Sequence, residues 1–333
     1  MRVIRNRPAA KPTARQPRGS GVYAPGGAAV AIGNFDGVHR GHVAIIDRCR
    51  QLSDPGQAVA LVTFEPLPQA FFRPAQAPAR LTTVYEKLRL VRAAGVDLTW
   101  MMRFDGQFAG LSAREFVERV LVAGLGARQV VVGADFRFGR GREGDVTSLA
   151  ALGDEFCFGV HVEPAVLCNG ERISSSAIRS HLAESEFEEA AALLGRPFRM
   201  EGYVVRGAGL GRKLGYPTAN LRIRAQPSPL GGVFAAFARI SGGPWKPVVT
   251  NLGRRPAVQG REPLLEVHFF DLERDLYGQR LEVQFVAKLR DELNFENLAA
   301  LTAQMKRDED AARSFLAQAE LPTWALCEAI HNR

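Results

Sequence analysis

The spacing of apolar residues changes near the middle of the chain. Between residue 29 and about residue 135, short apolar runs alternate with stretches whose apolar residues have helical spacing. The runs AVAIGNF, AVALVTF, VDLTWMMRF and QVVVGADF predict strands, and the stretches VAIIDRCRQL, VYEKLRLVRAAG and SAREFVERVLVAGLG predict helices. Because strand–helix–strand repeats form parallel sheets with right-handed crossovers, the first half is predicted to be an α/β domain.

After residue 200 the chain reads as consecutive strands with turn residues between them, followed by one helical stretch at 295–317. Apolar residues alternate with polar ones in RLEVQFVAKL, which predicts one buried face formed by Leu281, Val283, Phe285, Ala287 and Leu289. Glu282, Gln284 and Lys288 are predicted on the opposite face. Strands in this arrangement form an antiparallel barrel or sandwich.

These two patterns predict three segments. A basic arm covers residues 1–27, an α/β domain covers 28–196, and a β domain covers 197–333. The stretch SSAIRSHLAESEFEEAAALLG predicts one or two helices between the halves, and Arg196–Pro197 is a plausible hinge.

The net charge of +8 is concentrated at the N-terminus. Six basic residues precede the first acidic residue, Asp36; they are Arg2, Arg5, Arg7, Lys11, Arg15 and Arg18. A basic arm can contact nucleic acid, but three prolines within it favour a poorly ordered terminus. No apolar run is long enough for a membrane helix. The four cysteines form no CxxC pair, which suits a reducing cytosol.

The segment GNFDGVHRGH, residues 33–42, lies where the first predicted strand turns into a helix. A helix N-terminus favours anions because its free N–H groups and the positive end of the helix dipole lie there. His39 and His42 add donors for a triphosphate, and Asn34 can donate to a phosphate oxygen. Gly41 allows a flat base to approach the backbone. A lone histidine would more often be a cap or a surface residue, but this pair favours a nucleotide-phosphate site.

Two later segments carry further candidate ligand-binding residues. Asp135, Phe136 and Phe138 follow a predicted strand, where ligands of parallel sheets gather. In ISSSAIR, Arg179 and the hydroxyls at a predicted helix start can hold phosphates; the hydroxyls belong to Ser174, Ser175 and Ser176. Taken alone, those serines would be an ordinary helix cap.

The second half has no GxxxxGK[ST] loop, so any kinase activity must be of another type. The stretch RGAGLGRKLGYPTANL has glycines that let backbone amides approach phosphates, beside two basic residues; they are Gly207, Gly209, Gly211, Arg212 and Lys213. Thr218 offers a hard oxygen to Mg²⁺, and Asn220 can hold the metal or a substrate hydroxyl. Strand alternation in LLEVHFF places Glu266 and His268 on one face, which by itself predicts that they face water.

Over nearly all of residues 28–312 the chain resembles the bacterial bifunctional riboflavin kinases/FMN adenylyltransferases. GNFDGVHRGH resembles the HxGH motif of nucleotidylyltransferases, and VTFEPLP, VVVGADFRFGRGREGD and ISSSAIRSHL follow in the family's order. RGAGLGRKLGYPTANL, VVTNLGRRP and LLEVHFFDLERDLYGQRLEVQF resemble the kinase module. The resemblance implies a Rossmann-like nucleotidylyltransferase domain with a parallel sheet. It also implies a C-terminal antiparallel β-barrel riboflavin kinase domain with a terminal helix.

The resemblance also implies residue roles. The catalytic residues would be Glu266, as general base, with Asn220, His39 and His42. In the first module, ATP and phosphate would be bound by Gly33, Asn34, Asp36, Gly41, Ser174, Ser175, Ser176 and Arg179. In the second they would be bound by Gly207, Gly209, Gly211, Arg212 and Lys213. Flavin would contact Asp135, Phe136 and Phe138, and Mg²⁺ would be held by Thr218 and Asn220.

Riboflavin, FMN and ATP are the expected substrates, with no nucleic-acid or membrane partner and a cytoplasmic location. One departure matters: Leu67 stands where the family has the histidine of its PHP segment. A riboflavin kinase with weakened or lost adenylyltransferase activity is therefore a competing interpretation. A nucleic-acid-binding protein that uses the basic arm also stays open. So does an adenylyltransferase for another small phosphate ester, although that function would leave the PTAN half unexplained.

Overall fold

The computed structural model describes residues 1–6, 8, 21–207, 211, 214–223, 227–253, 264–272 and 274–319. The described residues form two compact units. Among the described residues, the first contains Met1–Pro78 and Val84–Ser174, and the second contains Ala79–Thr83 and the residues from Ser175 to Ala319.

The first unit is built on a six-stranded sheet in which every adjacent pair of strands is parallel. Its strands are β1 Arg2–Asn6, β2 Ala28–Ile32, β3 Ala58–Glu65, β4 Leu98–Arg103, β5 Ala127–Gly133 and β6 Gly159–Glu163, and their order is β1-β4-β3-β2-β5-β6. The chain leaves β2 toward β3 and leaves β5 toward β6, so the winding reverses between β2 and β5. Ligands of open α/β sheets bind at such a reversal, beyond the carboxyl ends of the strands. The predicted α/β fold is confirmed.

Helices cover both faces of this sheet. They are α1 Arg40–Leu52, α2 Pro68–Phe72, α3 Val84–Ala93, α4 Gly106–Ala109, α5 Ala113–Phe116 (continued as a π-helix over Val117–Val122) and α6 Val146–Phe156. On one face, Ile46 of α1 and Leu90 of α3 pack against Leu61. On the other face, Val120 and Leu149 pack around the fully buried Trp100. A two-stranded hairpin, β7 Leu167–Cys168 and β8 Glu171–Arg172, follows β6.

The prediction of a poorly ordered arm over residues 1–27 is wrong at both ends of that segment. Residues 2–6 form β1, which pairs in parallel with residues 98–102 at the edge of the sheet. Tyr23 packs edge-on against Trp100, with ring centroids 4.7 Å apart. The cause is the short apolar pair Val3–Ile4, which suits an edge strand despite the surrounding arginines. The central part of the arm, residues 9–20, lies outside the described residues.

The second unit is a closed barrel of six antiparallel strands. Its strands are β9 Arg199–Val205, β10 Ala219–Arg222, β11 Gly232–Ile240, β12 Lys246–Leu252, β13 Leu264–Phe269 and β14 Arg280–Arg290, and their order is β10-β13-β12-β11-β14-β9. Its helices are α7 Ser175–Ala183, α8 Phe187–Leu194 and α9 Leu298–Leu316. Of the two architectures that the alternation left open, the barrel is the one observed.

The single buried face predicted for β14 is interrupted by a bulge. Ala236 pairs with Phe285, but its neighbour Ala235 pairs with Ala287, so Val286 is an extra residue. An extra residue reverses the face of the side chains that follow it, here as far as Leu289, which is the extra residue of a second register shift between Lys288 and Arg290. Ala287 and Leu289 therefore pack with Ala235 against the terminal helix, in the cluster that also contains Phe237, Ala312 and Leu316.

The polar face of β14 is also more buried than the pattern predicts. Glu282 is 5% exposed and accepts a hydrogen bond of 2.8 Å from Arg239. Gln284 is 1% exposed and accepts one of 3.0 Å from Arg199. Partners on neighbouring strands satisfy these groups, which makes their burial tolerable. Within the described part of the chain, no helix is both long enough and apolar enough to cross a membrane.

Candidate functional site

The turn from β2 to α1 is held in an uncommon backbone conformation. Phe35 and Val38 have φ of 50° and 41°, values that non-glycine residues rarely adopt, and Gly37 between them has φ of 84°. The carbonyl oxygen of Asn34, just before Phe35, accepts hydrogen bonds from Lys87 Nζ at 2.7 Å and from Thr63 Oγ1 at 3.0 Å. The turn is therefore fastened from below by side chains of α3 and β3.

His39 and His42 form a reciprocal cap at the start of α1. The His42 N–H donates to Nδ1 of His39, and the His39 N–H donates to Nδ1 of His42, both at 3.3 Å. The two rings stack with centroids 3.6 Å apart, and Phe35 stacks beneath His42 at 4.6 Å. Because Nδ1 is an acceptor in both rings, a neutral ring carries its proton on Nε2. In its neutral form the pair thus carries two Nε2–H groups at the anion-binding end of a helix, and His39 is only 6% exposed.

Gly41 is required by the packing of the histidine pair. A Cβ at Gly41 would lie 3.2 Å from Nδ1 of His39 and 3.7 Å from the carbonyl oxygen of Ile173. Gly33 lies against the Phe35 ring in the same way, at 3.1 Å. Asn34 is exposed, while Asp36 is only 1% exposed and lies inside the turn. The structure thus brings Gly33, Asn34, His39, Gly41 and His42 together, with Asp36 beneath them.

The loop after β5 lies beside this turn, because β2 and β5 are neighbours in the sheet. Asp135 is exposed and forms an ion pair with Arg172 at 2.9 Å. Phe136 and Phe138 stack, with centroids 5.4 Å apart. Phe138 belongs to the core and is 7% exposed, so it supports Phe136 from below. Of the two aromatic rings among the three predicted flavin contacts, Phe136 is the ring that a ligand can reach, and direct stacking on Phe138 is not supported.

The predicted phosphate-binding serines lie where α7 begins. Ser174 follows Ile173, whose carbonyl approaches Gly41, and it is the last residue of the first unit. Ser175 and Ser176 form the first turn of α7. Arg179, in the second unit, donates through Nε to the carbonyl of Ala79 in the same unit. The convergence of these residues on one phosphate group stays a prediction.

On the barrel, three strands align a glutamate between two asparagines. Glu266 of β13 lies directly opposite Asn220 of β10 on one side and opposite Asn251 of β12 on the other. Side chains directly opposite each other in antiparallel strands share a face and touch. The predicted residues Asn220 and Glu266 are therefore neighbours, and Asn251 joins them.

Glu266 does not face water as the strand pattern alone predicts. Burial raises the pKa of its carboxyl group, a hydrogen bond from Asn251 lowers it, and the charge of Glu292 raises it, with a net increase above the usual value. Oδ1 of Asn251 is buried and has no hydrogen-bond partner among the described residues. A half-buried carboxylate with a raised pKa is suited to accepting a proton from a substrate hydroxyl.

His268, two residues along the same strand, is also turned away from water. It is 7% exposed, and its Nδ1 donates to the carbonyl of Pro217 at 2.9 Å. Tyr216 packs edge-on against the His268 ring, at 5.3 Å. His268 therefore fixes the backbone that leads directly into Thr218. Its role in this structure is therefore structural.

Two glycines of the glycine-rich segment make close contacts in the barrel unit. A Cβ at Gly207 would lie 2.4 Å from Nδ2 of Asn220, and one at Gly211 would lie 2.4 Å from the carbonyl oxygen of Tyr216 and 3.4 Å from Oγ1 of Thr218. These glycines allow the chain to pass directly over the Thr218–Asn220 segment. Three other predicted residues, Gly209, Arg212 and Lys213, lie outside the described residues.

Gly207→Ala is expected to displace the Asn220 side chain and to lower the phosphoryl transfer predicted for the barrel unit about 100-fold. Gly215→Ala is the matched control, because its Cβ meets nothing within 4 Å, although Gly215 has φ of 84°. Initial rates of both variants check this. If Gly215→Ala loses more activity than Gly207→Ala, the contact between residue 207 and Asn220 is not the cause of the loss.

Sequence reasoning missed three residues of these sites. Lys87 and Thr63 fasten the β2–α1 turn, and Asn251 contacts Glu266. Lysine in an amphipathic helix and threonine in a strand carry no signal of such roles. Asn251 stands in VVTNLGRRP, a segment noted for its resemblance, but only strand register reveals its partner.

These features define a class of protein: a transferase of two modules, one suited to nucleotide phosphates and the other to deprotonating a hydroxyl group. Comparison with known protein families refines this class. The model for FAD synthetase matches residues 23–177, and the model for riboflavin kinase matches residues 194–316. The chain belongs to the family of bifunctional riboflavin kinases/FMN adenylyltransferases.

Individual relatives agree with this family. The bifunctional riboflavin kinase/FMN adenylyltransferase of Escherichia coli (strain K12) is 44% identical over 293 residues, which are 87% of this chain and 93% of that protein. The enzyme of the same name from Haemophilus influenzae is 39% identical over 290 residues, 87% of this chain and 94% of that one. A crystal structure entitled macrolide-efflux protein, from Streptococcus pneumoniae, superposes with a TM-score of 0.74 at 27% identity, covering 94% of this chain and 99% of that chain.

Proposed function

We propose that this chain makes both flavin cofactors: it phosphorylates riboflavin with ATP to give FMN and ADP, and joins FMN to the AMP part of ATP to give FAD and pyrophosphate. The observation that carries the proposal is the presence of both family modules in one chain. Riboflavin, FMN and ATP are the substrates. A cytoplasmic location and a domain boundary at residues 196–197 stay predictions.

In the kinase module, Glu266 accepts the proton of the terminal ribityl hydroxyl as its oxygen attacks the γ-phosphorus of ATP. Phosphoryl transfer depends mainly on positioning and on charge stabilisation. Asn251 fixes the Glu266 carboxylate through its hydrogen bond, and Asn220, on the other side of Glu266, is placed to orient the hydroxyl. The oxygen then bonds to the γ-phosphorus, and ADP leaves.

The same residues fit a magnesium ion. Thr218 Oγ1 and Asn220 Oδ1 are hard oxygen donors, and the glycine-rich segment passes close enough to leave room only for small groups. No cluster of three or more His, Cys, Asp or Glu side chains suited to a metal occurs among the described residues. Thr218 and Asn220 would hold Mg²⁺ together with the substrate phosphates, and the ion would neutralise the charge on the ATP phosphates.

In the adenylyltransferase module, a phosphate oxygen of FMN attacks the α-phosphorus of ATP, and the bond to the pyrophosphate oxygen breaks. His39 and His42 offer Nε2–H donors to the leaving pyrophosphate, and the N–H groups at the start of α1 add to its stabilisation. Phe136 offers a ring face on which the flavin can stack. No covalent intermediate with the chain is required.

Riboflavin phosphorylation is expected to lose rate in acid before FMN adenylylation does. The base acts as a carboxylate, and its raised pKa means that it becomes protonated at a higher pH than an exposed glutamate, for which the usual value is about 4.3. The kcat/KM for riboflavin should therefore fall as the pH decreases through that raised pKa. Steady-state rates across pH check this, with FMN-to-FAD conversion on the same preparation as the reference.

The proposal is tested by incubating the purified chain with riboflavin and MgATP, and separately with FMN and MgATP, and resolving the flavins by chromatography. FAD in both incubations is the expected result.

Leu67 is 3% exposed and lies directly before α2, so its side chain packs into the protein. FMN without any FAD would support the alternative of a kinase whose adenylyltransferase has been lost.

A further inference from the structure

Lys87 is a completely buried charged residue that the two reactions leave unexplained. It lies on α3 and is 0% exposed, whereas lysine is almost never fully buried unless its ammonium group is paired. Its Nζ lies 2.7 Å from the carbonyl oxygen of Asn34 and 3.5 Å from Oγ1 of Thr63. Two of its contacts are thus in the β2–α1 turn and in the strand beneath it.

The contact between Lys87 and the Asn34 carbonyl lies at the start of a strained turn. Asn34 directly precedes Phe35 and lies four positions before Val38, and the positive φ angles of Phe35 and Val38 cost energy because both residues carry a Cβ. Such conformations persist only where the surroundings hold them. The turn continues to His39, whose ring, stacked on that of His42, caps α1. A change at the Asn34 carbonyl therefore propagates to the two histidines through four intervening residues, of which Phe35 and Val38 have strained φ angles.

The hydrogen bond from Lys87 to the Asn34 carbonyl is strong enough to hold the β2–α1 turn. A hydrogen bond from a charged donor is roughly twice as strong as a neutral one, and burial strengthens it further. Thr63, which is also 0% exposed, supplies a second and neutral donor to the same oxygen at 3.0 Å. The ammonium group also adds positive charge beneath a turn suited to binding phosphates.

We propose that Lys87 is a positioning residue for adenylyl transfer: its ammonium group holds the Asn34 carbonyl and thereby keeps His39 and His42 aligned with the leaving pyrophosphate. The inference rests on the proposed function of the first module. Lys87 itself does not touch the reacting atoms.

The test compares Lys87→Met, whose unbranched side chain is one atom shorter and has no donor, with Lys87→Gln, which retains an N–H donor. For Lys87→Met the kcat of FMN-to-FAD conversion should fall at least about tenfold, and by more than the KM for ATP rises, because misplaced groups lose rate. Lys87→Gln should recover part of the lost kcat. Thr63→Val should cause a smaller loss, since Lys87 still holds the carbonyl. Riboflavin phosphorylation, measured on the same samples, should remain within about twofold of the unchanged protein.

Three results would overturn the inference: FMN-to-FAD conversion by Lys87→Met within about twofold of the unchanged protein, equal loss of both activities, or a loss confined to the KM for ATP. If Lys87→Met does not fold, Thr63→Val and Lys87→Gln test the inference instead. An unchanged kcat for FMN-to-FAD conversion in both variants would overturn the inference. The unchanged protein is assayed first. If the unchanged protein does not make FAD from FMN, that result contradicts the proposed function and says nothing about the role of Lys87.

Discussion

Replacing both histidines by asparagine, His39→Asn with His42→Asn, should reduce FMN-to-FAD conversion by on the order of 1,000-fold or more and leave riboflavin phosphorylation intact. Asparagine is a good helix cap, so it can accept the N–H bonds that Nδ1 accepts now. It lacks the Nε2–H donors. Loss of one donor to a developing anion commonly costs about 100- to 1,000-fold, which makes this one of the two largest effects expected here.

The helix itself needs a separate control. Ser112 caps α5 in the same unit through the same reciprocal pattern, in which its side chain and that of Glu115 exchange bonds with the backbone. Ser112→Ala should lower thermal stability without a selective loss of FAD formation. If the doubly substituted protein still converts FMN to FAD at a rate near that of the unchanged protein, the assignment of this site to adenylyl transfer is wrong.

The second large effect is expected for Glu266→Gln, which should slow riboflavin phosphorylation by about 100- to 10,000-fold because the general base is lost. FMN-to-FAD conversion should be unaffected. The same change should raise the melting temperature at neutral pH. Burial raises the pKa of Glu266, so the folded state disfavours its charged form, and the charged group is a cost to stability at every pH above that raised pKa. A neutral glutamine removes this cost.

A second buried glutamate of the barrel gives the matched control. Glu282 is 5% exposed and is paired with Arg239 at 2.8 Å, so Glu282→Gln leaves a buried guanidinium group without its carboxylate. That variant should lose thermal stability and retain selectivity between the two reactions. Rapid FMN formation by Glu266→Gln would rule out Glu266 as the base. A melting temperature lower than that of the unchanged protein would contradict the assigned cost of its charge.

The sequence predicted most of the elements that position both sites, because their patterns are local. The strands that end at Ile32 and Gly133 are continuous apolar runs, and His39 and His42 mark a helix start by spacing alone. Three elements were not predicted: strand β6, helix α6 and the short strand β10. The two strands have the sequences GVHVE and ANLR, which are too short and too polar to stand out. The edge strand β1 was missed because the arginines around it dominate the pattern.

What the sequence left out depends on contacts between distant residues. The bulge at Val286 follows from pairing with Ala235 and Ala236, and no period within β14 reveals it. Lys87 lies 53 positions from Asn34, and Asn251 meets Glu266 only through the register of β12 and β13. Strand alternation correctly placed Glu266 on the face of β13 that points away from Leu265 and Val267. The burial of Glu266 on that face depends on the neighbouring strands, which the alternation does not reveal.

The most direct test of the central claim follows phosphorus atoms from ATP into the flavin products. The unchanged protein is incubated with riboflavin and MgATP that carries one isotope at the α-phosphorus and another at the γ-phosphorus, and FMN and FAD are separated and counted. The account predicts the γ-label alone in FMN and both labels in FAD, since one ATP gives its terminal phosphate and another gives its AMP part. FAD that lacks the γ-label, or FMN without FAD even on prolonged incubation, would contradict the assignment of both reactions to this chain.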